Sequence, residues 1–307
     1  MKAMSVPVQT LVNGDRLWTP IMTGLALVAF AANSVLCRLA LGQETIDAAS
    51  FTAIRLVSGA LTLLVVTALS KGTERSTPGG NWTSATALFL YAITFSFAYI
   101  SLSTATGALI LFPTVQMTMV VAALWWGERP RLLEWLGLSI AMCGLVYLML
   151  PGLSAPSPLG SLLMTVAGIS WGVYSLRGRS AVNPIAVTTD NFVRSVPLVL
   201  GVSLVLLQMI QVSPKGALLA VASGSLASGV GYVIWYAALR GLTTTRAAAV
   251  QLSVPVLAAL GGVIFLSEQI SIRLVISSLT ILGGLGLVVL GRAVSNVALG
   301  RGLGWKT

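Results

Sequence analysis

Hydrophobic residues in this chain come in long, nearly unbroken runs, not in alternating positions. Such runs predict membrane-spanning helices, each of which needs about 20 mostly apolar residues. The first five runs are Trp18–Leu41, Ala48–Leu69, Ala85–Leu102, Gly107–Trp126 and Leu132–Leu150. The second five are Gly160–Leu176, Asn191–Ile210, Ala217–Leu239, Ala247–Leu266 and Ile272–Leu290. A β-barrel would alternate apolar and polar residues along each strand, and these segments do not. The pattern predicts an all-α integral membrane protein with ten transmembrane helices.

Polar landmarks interrupt the runs in the same order in both halves. Arg55 lies in the second segment of the first half, and Arg194 in the second segment of the other. Pro113 and Pro255 interrupt the fourth segments, and Glu128 and Glu268 close them. Gly144 and Gly284 follow 16 residues after those glutamates. The spacing from proline to glutamate is 15 residues in one half and 13 in the other, so the phase of the fourth helix differs. Five spans per half is an odd number, so the second copy enters from the opposite side. The expectation is two inverted five-helix repeats, at 17–151 and 156–292, between tails at 1–16 and 293–307.

Charge orients this scheme. The chain has 307 residues, is 56% hydrophobic and 8% charged, and carries a net charge of +10. A soluble domain has about 25% charged residues. Ten helices put both termini on one side, with Lys2, Arg16, Lys71, Arg75, Arg129, Arg131, Arg177, Arg179, Arg240, Arg246, Arg292, Arg301 and Lys306. The opposite side holds Lys215 and Arg273, while Arg38, Arg55 and Arg194 fall at a helix end or inside helices. By the positive-inside rule both termini are cytoplasmic. The basic residues are scattered over short loops, which argues against nucleic acid and for anionic lipid headgroups in the bilayer. The first sixteen residues lack the apolar core and cleavage site of a signal peptide.

The residue inventory limits chemistry. Cys37 and Cys143 both fall inside predicted spans and read as small, buried apolar residues. The chain has no histidine, which removes the common metal ligand and proton shuttle. Asp15, Glu44, Asp47, Glu74, Glu128, Glu134 and Glu268 fall near predicted membrane surfaces, and only Asp190 is placed to enter a helix. No nucleophile with an acid–base partner can be assembled, so an enzyme is not expected. No metal or cofactor is expected either.

Candidate binding residues are those too deep to be interface anchors. Trp18, Trp82, Trp125, Trp126 and Trp135 lie near helix ends and read as an aromatic belt. Tyr91, Phe95 and Tyr99 recur every four residues and form one stripe on the third helix. Tyr232 and Tyr236 repeat that spacing on the eighth, beside Trp235, and Trp171 lies deep in the sixth. These aromatics fit either helix packing or the lining of a cavity that accepts an apolar or aromatic ligand. Asn33, Gln116 and Gln251 are polar residues in apolar helices and must face the bundle or a wet cavity. They fit interhelical hydrogen bonds or recognition of a ligand's amine or carboxylate. Pro113 and Pro255 are hinge candidates, because proline leaves a helix carbonyl without its donor.

Arg55 and Arg194 fit a substrate carboxylate or a structural tie, Arg194 through Asp190 one turn away. Their recurrence in both halves favours the structural reading, since one carboxylate has little use for two symmetric arginines. Glu128 and Glu268 are expected to cap the helix that follows each of them. Gly168 and Gly172, with Gly283, Gly284 and Gly286, predict close helix packing. The glycines of the tenth helix fit internal packing and homodimerisation equally.

Taken together, Asn33-Ser34-Val35 with Ser170-Trp171-Gly172-Val173, the paired arginines, and the runs Pro113 to Gly127-Glu128-Arg129 and Pro255 to Ser267-Glu268-Gln269 resemble the EamA-type members of the drug/metabolite transporter superfamily. The resemblance covers residues 17 to 292. Within it, the length, the aromatic residues and the lack of membrane-embedded acids are similar to YddG-type aromatic amino acid exporters. The first helix lacks the membrane glutamate of the superfamily's small multidrug members. The resemblance implies an exporter of amino acids, aromatic and other neutral ones, working by alternating access in a bacterial-type inner membrane. Without histidine or a deep carboxylate, facilitative uniport is expected. The alternative is a multidrug or other metabolite exporter of the same fold, with proton coupling. A scaffold or receptor is disfavoured by the deep polar residues in both halves.

Overall fold

In the computed structural model, residues 12–69, 79–127, 132–150, 155–178, 181, 183–239, 241–242, 247 and 250–302 are described, with side chains except at 12–17, 123 and 292–302. The helices are α1 Val12–Leu41, α2 Ala48–Leu69, α3 Trp82–Ala98, α4 Thr104–Trp125 and α5 Leu132–Met149. The second half supplies α6 Pro158–Gly178, α7 Pro184–Val205, α8 Pro214–Leu239, α9 Val254–Leu266 and α10 Ile272–Gly302. Among the described residues there is no strand beyond an isolated bridge between Ile46 and Val212. Among the described residues eight helices are long and apolar enough to cross a membrane, while α3 and α9, at 17 and 13 residues, are shorter apolar helices.

Local chemistry sets several starts. The Asn81 side chain accepts from Ser84 N at 2.9 Å at the head of α3, and Ser103 accepts from Thr106 N at 3.3 Å at α4. Asn183 and Ser213 do the same for α7 and α8, each followed by a proline at the first helical position. That cap starts α7 seven residues before the predicted Asn191. The apolar run underlying the prediction misses this polar first turn. The expected span Ala247–Leu266 is interrupted: Ala247, Val250 and Gln251 are helical, turns occupy Leu252 and Ser253, and α9 runs from Val254 with Pro255 in its first turn. Pro113, by contrast, lies inside a continuous α4.

Helix pairings come in sets. Helix α5 packs most extensively on α10. The pairing of α3 with α6 is matched by α8 with α1, that of α4 with α6 by α9 with α1, and that of α3 with α7 by α8 with α2. Shifting each helix number by five, with the count passing from ten back to one, converts one set into the other. The landmark glycines belong to the α5–α10 seam: a Cβ on Gly137 would lie 2.5 Å from Gly284 O, and one on Gly144 2.9 Å from Ile281. Gly168 and Gly172 admit Thr114 and Thr118 of α4 in the same way. Gly283 and Gly286 have open space where a Cβ would go, which corrects the expectation of close contact there.

Contacts between helix ends show consecutive helices running in opposite directions. One end joins the tail of α1 to the heads of α2 and α8: Asp47 accepts from Gln211 N at 3.0 Å, and Lys215 donates to Gln43 at 2.7 Å. At the opposite end Arg177, at the tail of α6, donates to Ser84 and Asn81 at the head of α3. The belt tryptophans Trp18, Trp82, Trp125, Trp126 and Trp135 are all exposed, as expected. Cys37 is buried but Cys143 is exposed on α5, because its face turns away from α10. Glu134, expected near a surface, is buried in the first turn of α5 beside Gly291.

Candidate functional site

A small cavity of about 30 Å³, lined by residues of both halves, lies where the two halves meet. That is room for roughly one or two water molecules, so a substrate enters only as the walls move apart. Six sequence candidates line it: Asn33, Tyr91, Phe95, Trp171, Tyr232 and Gln251. The first half contributes α1 and α3, and the second contributes α6, α8 and the segment before α9. The remaining walls come from Phe30 and Ser34, from Leu111 and Phe112 of α4, and from Ala227 and Ser228 of α8.

Trp171 occupies the junction. Its ring lies 4.9 Å from that of Tyr91 and stacks on Tyr232 at 5.3 Å with an interplanar angle of 29°. One tryptophan therefore touches the third helix of each half. Phe30 and Phe192 meet Tyr232 edge-on at 6.1 and 5.9 Å. Offset and edge-to-face contacts of this kind are favourable by about 0.5–1.5 kcal/mol each beyond burial. An incoming aromatic group would exchange one such contact for another.

A polar row crosses the same wall. Ser223 donates to Asn33 Oδ1 at 2.6 Å, and Asn33 Nδ2 donates to the Tyr91 hydroxyl at 3.3 Å. Arg55 Nη2 donates to the same hydroxyl at 3.2 Å, and Arg55 Nε to Ser228 Oγ at 3.4 Å. The guanidinium carbon lies 5.3 and 5.2 Å from the ring centres of Tyr91 and Phe95. Arg55 is 2% exposed, and its Nη1 has no hydrogen-bond partner. Ser223 and Ser228 belong to Ser223–Val230, a π-helical stretch in the middle of α8. Widened turns of that kind often occur at functional sites. The stretch also brings Gly224 against the Arg55 carbonyl, where a Cβ would collide.

Four candidates lie elsewhere. Tyr99 is fully buried, edge-on to Phe95 at 4.8 Å, with its hydroxyl 3.4 Å from Thr104 O. It ends the α3 stripe as packing. Gln116 is buried outside the cavity walls. Trp235 belongs to a separate cluster with Ala26, Ala238 and Ala247. The Tyr236 hydroxyl accepts from Thr188 at 3.3 Å.

The paired charges differ sharply. Arg194 is half-exposed, bonded to Asp190 at 3.2 Å and set 5.6 Å over the Trp82 ring. Arg55 is buried and, among the described residues, pairs with no acid. Glu268 accepts from Thr104 N at 2.9 Å, so it caps α4, not the helix that follows it in sequence. Glu128 lies outside the described residues. The sequence reading missed Arg38, whose Nε is 3.6 Å from Glu268 and whose Nη1 donates to the Tyr99 and Ile100 carbonyls, both at 2.9 Å. Its repeat counterpart Arg177, at the same offset of 139 residues that separates Arg55 from Arg194, was the available signal. Among the described residues no cluster of three or more His, Cys, Asp or Glu is positioned to hold a metal.

The sequence pattern of the EamA-like transporter family matches residues 17–150 and again 158–290. An uncharacterized protein of Pseudomonas aeruginosa is 47% identical over 279 residues, which is 90% of this chain and 96% of that protein. An uncharacterized transporter of Archaeoglobus fulgidus is 29% identical over 204 residues, covering 62% of this chain and 69% of its own. A solved crystal structure superposes with a TM-score of 0.62 at 22% identity, over 87% of this chain and 98% of that one. This last likeness bears on the fold alone.

Proposed function

The chain belongs to the EamA-like transporter family, and on that premise we propose that it exports amino acids, aromatic and other neutral ones, across a bacterial-type inner membrane. The observation that carries this reading is the aromatic cavity at the junction, with Trp171 between Tyr91 of one half and Tyr232 of the other. Such walls suit an apolar or aromatic side chain, and the polar row from Ser223 to Arg55 suits the charged groups of an amino acid.

The architecture we propose is ten spans in two inverted repeats. The pairings that recur with a shift of five helices support it, as does the opposite direction of consecutive helices. Substrates of inverted-repeat transporters bind where the repeats face each other, which is where this cavity lies. Both termini are assigned to the cytoplasm. The end bearing Arg38, Lys215 and Arg273 is then external, in keeping with its scarcity of basic residues.

Alternating access would proceed by opening one end while the other stays latched. At the external end Arg38 and Glu268 join the tails of α1, α3 and α9 to the head of α4. We assign facilitative uniport, because among the described residues no carboxylate lines the cavity and the chain has no histidine. A multidrug role for organic cations is the weaker reading, since Arg55 stands against the cavity wall.

The test is reconstitution of the purified protein in liposomes, with uptake of labelled phenylalanine, leucine and a cationic dye measured without any ion gradient. Uptake of the amino acids is the expected result. Uptake of the dye alone would replace the substrate assignment. Uptake only under an imposed pH gradient would remove the uniport.

A further inference from the structure

We infer that Arg55, with the hydroxyls of Tyr91 and Ser228, forms an anion subsite that takes the carboxylate of the substrate on one wall of the aromatic cavity. This rests on the reading of that cavity as the transport site.

The first argument is charge. A guanidinium stays protonated in a protein, and a buried charge in a membrane protein pairs with an acid or faces a polar cavity. Among the described residues the ion pairs are Arg38 with Glu268 and Arg194 with Asp190, so Arg55 takes part in neither. The Tyr91 and Phe95 rings compensate part of its charge through their π faces. Among the described residues no negative group completes the site. The equivalent arginine of the other half has Asp190 one turn before it, while Arg55 has Phe51 at that position. One repeat supplies the counter-ion from its own helix, and the other leaves it to come from outside.

The second argument counts donors. Tyr91 Oη accepts from both Arg55 Nη2 and Asn33 Nδ2, and Ser228 Oγ accepts from Arg55 Nε. Neither hydroxyl spends its proton on those bonds, and Arg55 Nη1 has no partner. The protons of the two hydroxyls and of Nη1 are thus left over once these bonds are made. Buried polar groups in proteins are satisfied with few exceptions, and a surplus of donors beside a guanidinium is what an anion satisfies. Tyr91 and Ser228 line the cavity directly, and Arg55 stands immediately behind them. A carboxylate there would have its apolar body beside Trp171 and Tyr232. Charge-assisted bonds to a guanidinium discriminate strongly against a neutral amide or an amine.

The experiment uses the full-length protein in liposomes and follows uptake of labelled phenylalanine against four competitors. These are unlabelled phenylalanine, 3-phenylpropanoate, phenylalaninamide and phenethylamine, at fixed ionic strength. The two acids are expected to compete within about threefold of each other, and the amide and amine at least ~10-fold more weakly. Arg55→Gln should weaken the acids on the order of 10- to 100-fold and leave the other two unchanged, with partial recovery in Arg55→Lys. Arg194→Gln should leave the ranking intact. Equal competition by acids and amines in the native protein, or an unchanged ranking in Arg55→Gln, overturns the inference.

If Arg55→Gln does not fold, Tyr91→Phe and Ser228→Ala each remove one donor. Each should weaken the acids several-fold relative to the amines, and equal weakening of both classes overturns the inference. If the native protein takes up no phenylalanine, the transport reading fails by itself. Thermal unfolding of the purified protein then decides the subsite. Stabilisation by 3-phenylpropanoate and not by phenethylamine upholds it, while equal or absent stabilisation by both overturns it.

Discussion

Arg38 and Glu268 lie 230 positions apart in sequence and meet with 3.6 Å between Nε and Oε1. Neither is committed to the other alone. Arg38 also holds the two carbonyls that follow α3, those of Tyr99 and Ile100, and Glu268 holds the first amide of α4. The pair therefore bolts two helix ends that would otherwise leave unpaired carbonyls and N–H groups at the rim of the cavity.

Loosening this bolt should open that end. Glu268→Gln keeps the shape of the side chain and removes the charge. With Cys37→Ala and Cys143→Ser as background, Ser34→Cys places one thiol on the cavity wall. Labelling of that thiol by a membrane-impermeant maleimide from the Arg38 end is expected to rise several-fold in Glu268→Gln. Thermal stability should fall by about 1–3 kcal/mol, the usual cost of losing bonds to a charged group. An unchanged labelling rate would assign the pair to stability alone.

Trp171 and Tyr99 should separate selectivity from packing. Trp171 lines the cavity, so Trp171→Phe is expected to alter the ranking of aromatic against aliphatic amino acids while the fold persists. Tyr99 is wholly buried behind Phe95 and against Gly107. Tyr99→Ala should cost about 3–5 kcal/mol through the void it leaves and keep the ranking unchanged. Competitive uptake and thermal unfolding of the same preparations provide both readings. A changed ranking in Tyr99→Ala would restore that residue to the site.

How much of this was legible beforehand depended on what each segment buries. The span Ala48–Leu69 and the end of α1 at Leu41 were read to the residue, because their apolar runs end at charges and turns, whereas α1 starts at Val12, six residues before the expected Trp18. The start of α7 was not, since Pro184 to Asp190 is mixed in polarity and its helix is set by the Asn183 cap. The stripe Tyr91–Phe95–Tyr99 was visible as a spacing, but spacing does not say where the cavity ends. Tyr99 follows the last residue of α3 and turns towards α4. The equivalence of Arg55 and Arg194 in sequence also misled, because only Arg194 has an acid one turn away. The π-helical stretch of α8 was invisible to any 3.6-residue pattern, although its run of Ser and Gly was there to see.

The outward pair Arg194 and Asp190 should matter little. Both side chains keep 20–30% of their exposure, at 29% and 22%, and the pair spans a single helical turn. Exposed pairs of this kind contribute about 0–1 kcal/mol. Asp190→Asn is expected to lower stability by no more than that and to leave the ranking of substrates untouched. A large loss of transport in Asp190→Asn, with the fold intact, would show that the second-half arginine needs its acid for function.

Adjacent glycines of α10 offer the sharpest contrast in packing. At Gly284 an added Cβ would lie 2.5 Å from the backbone of Ala141 and Gly137, which cannot move without parting α5 from α10. At Gly283 the same atom meets nothing within 4 Å. Gly284→Ala should therefore destabilise by about 1–3 kcal/mol through overpacking. Gly283→Ala should be neutral, or stabilising by up to about 1 kcal/mol from helix propensity alone. Thermal unfolding of the two variants in one lipid nanodisc preparation compares them directly. Equal midpoints would mean that the α5–α10 seam has slack, and the packing account of Gly137, Gly144 and Gly284 would then fall. A loss confined to Gly283→Ala would instead place a contact on the open face of α10, where a second copy of the chain would have to supply it.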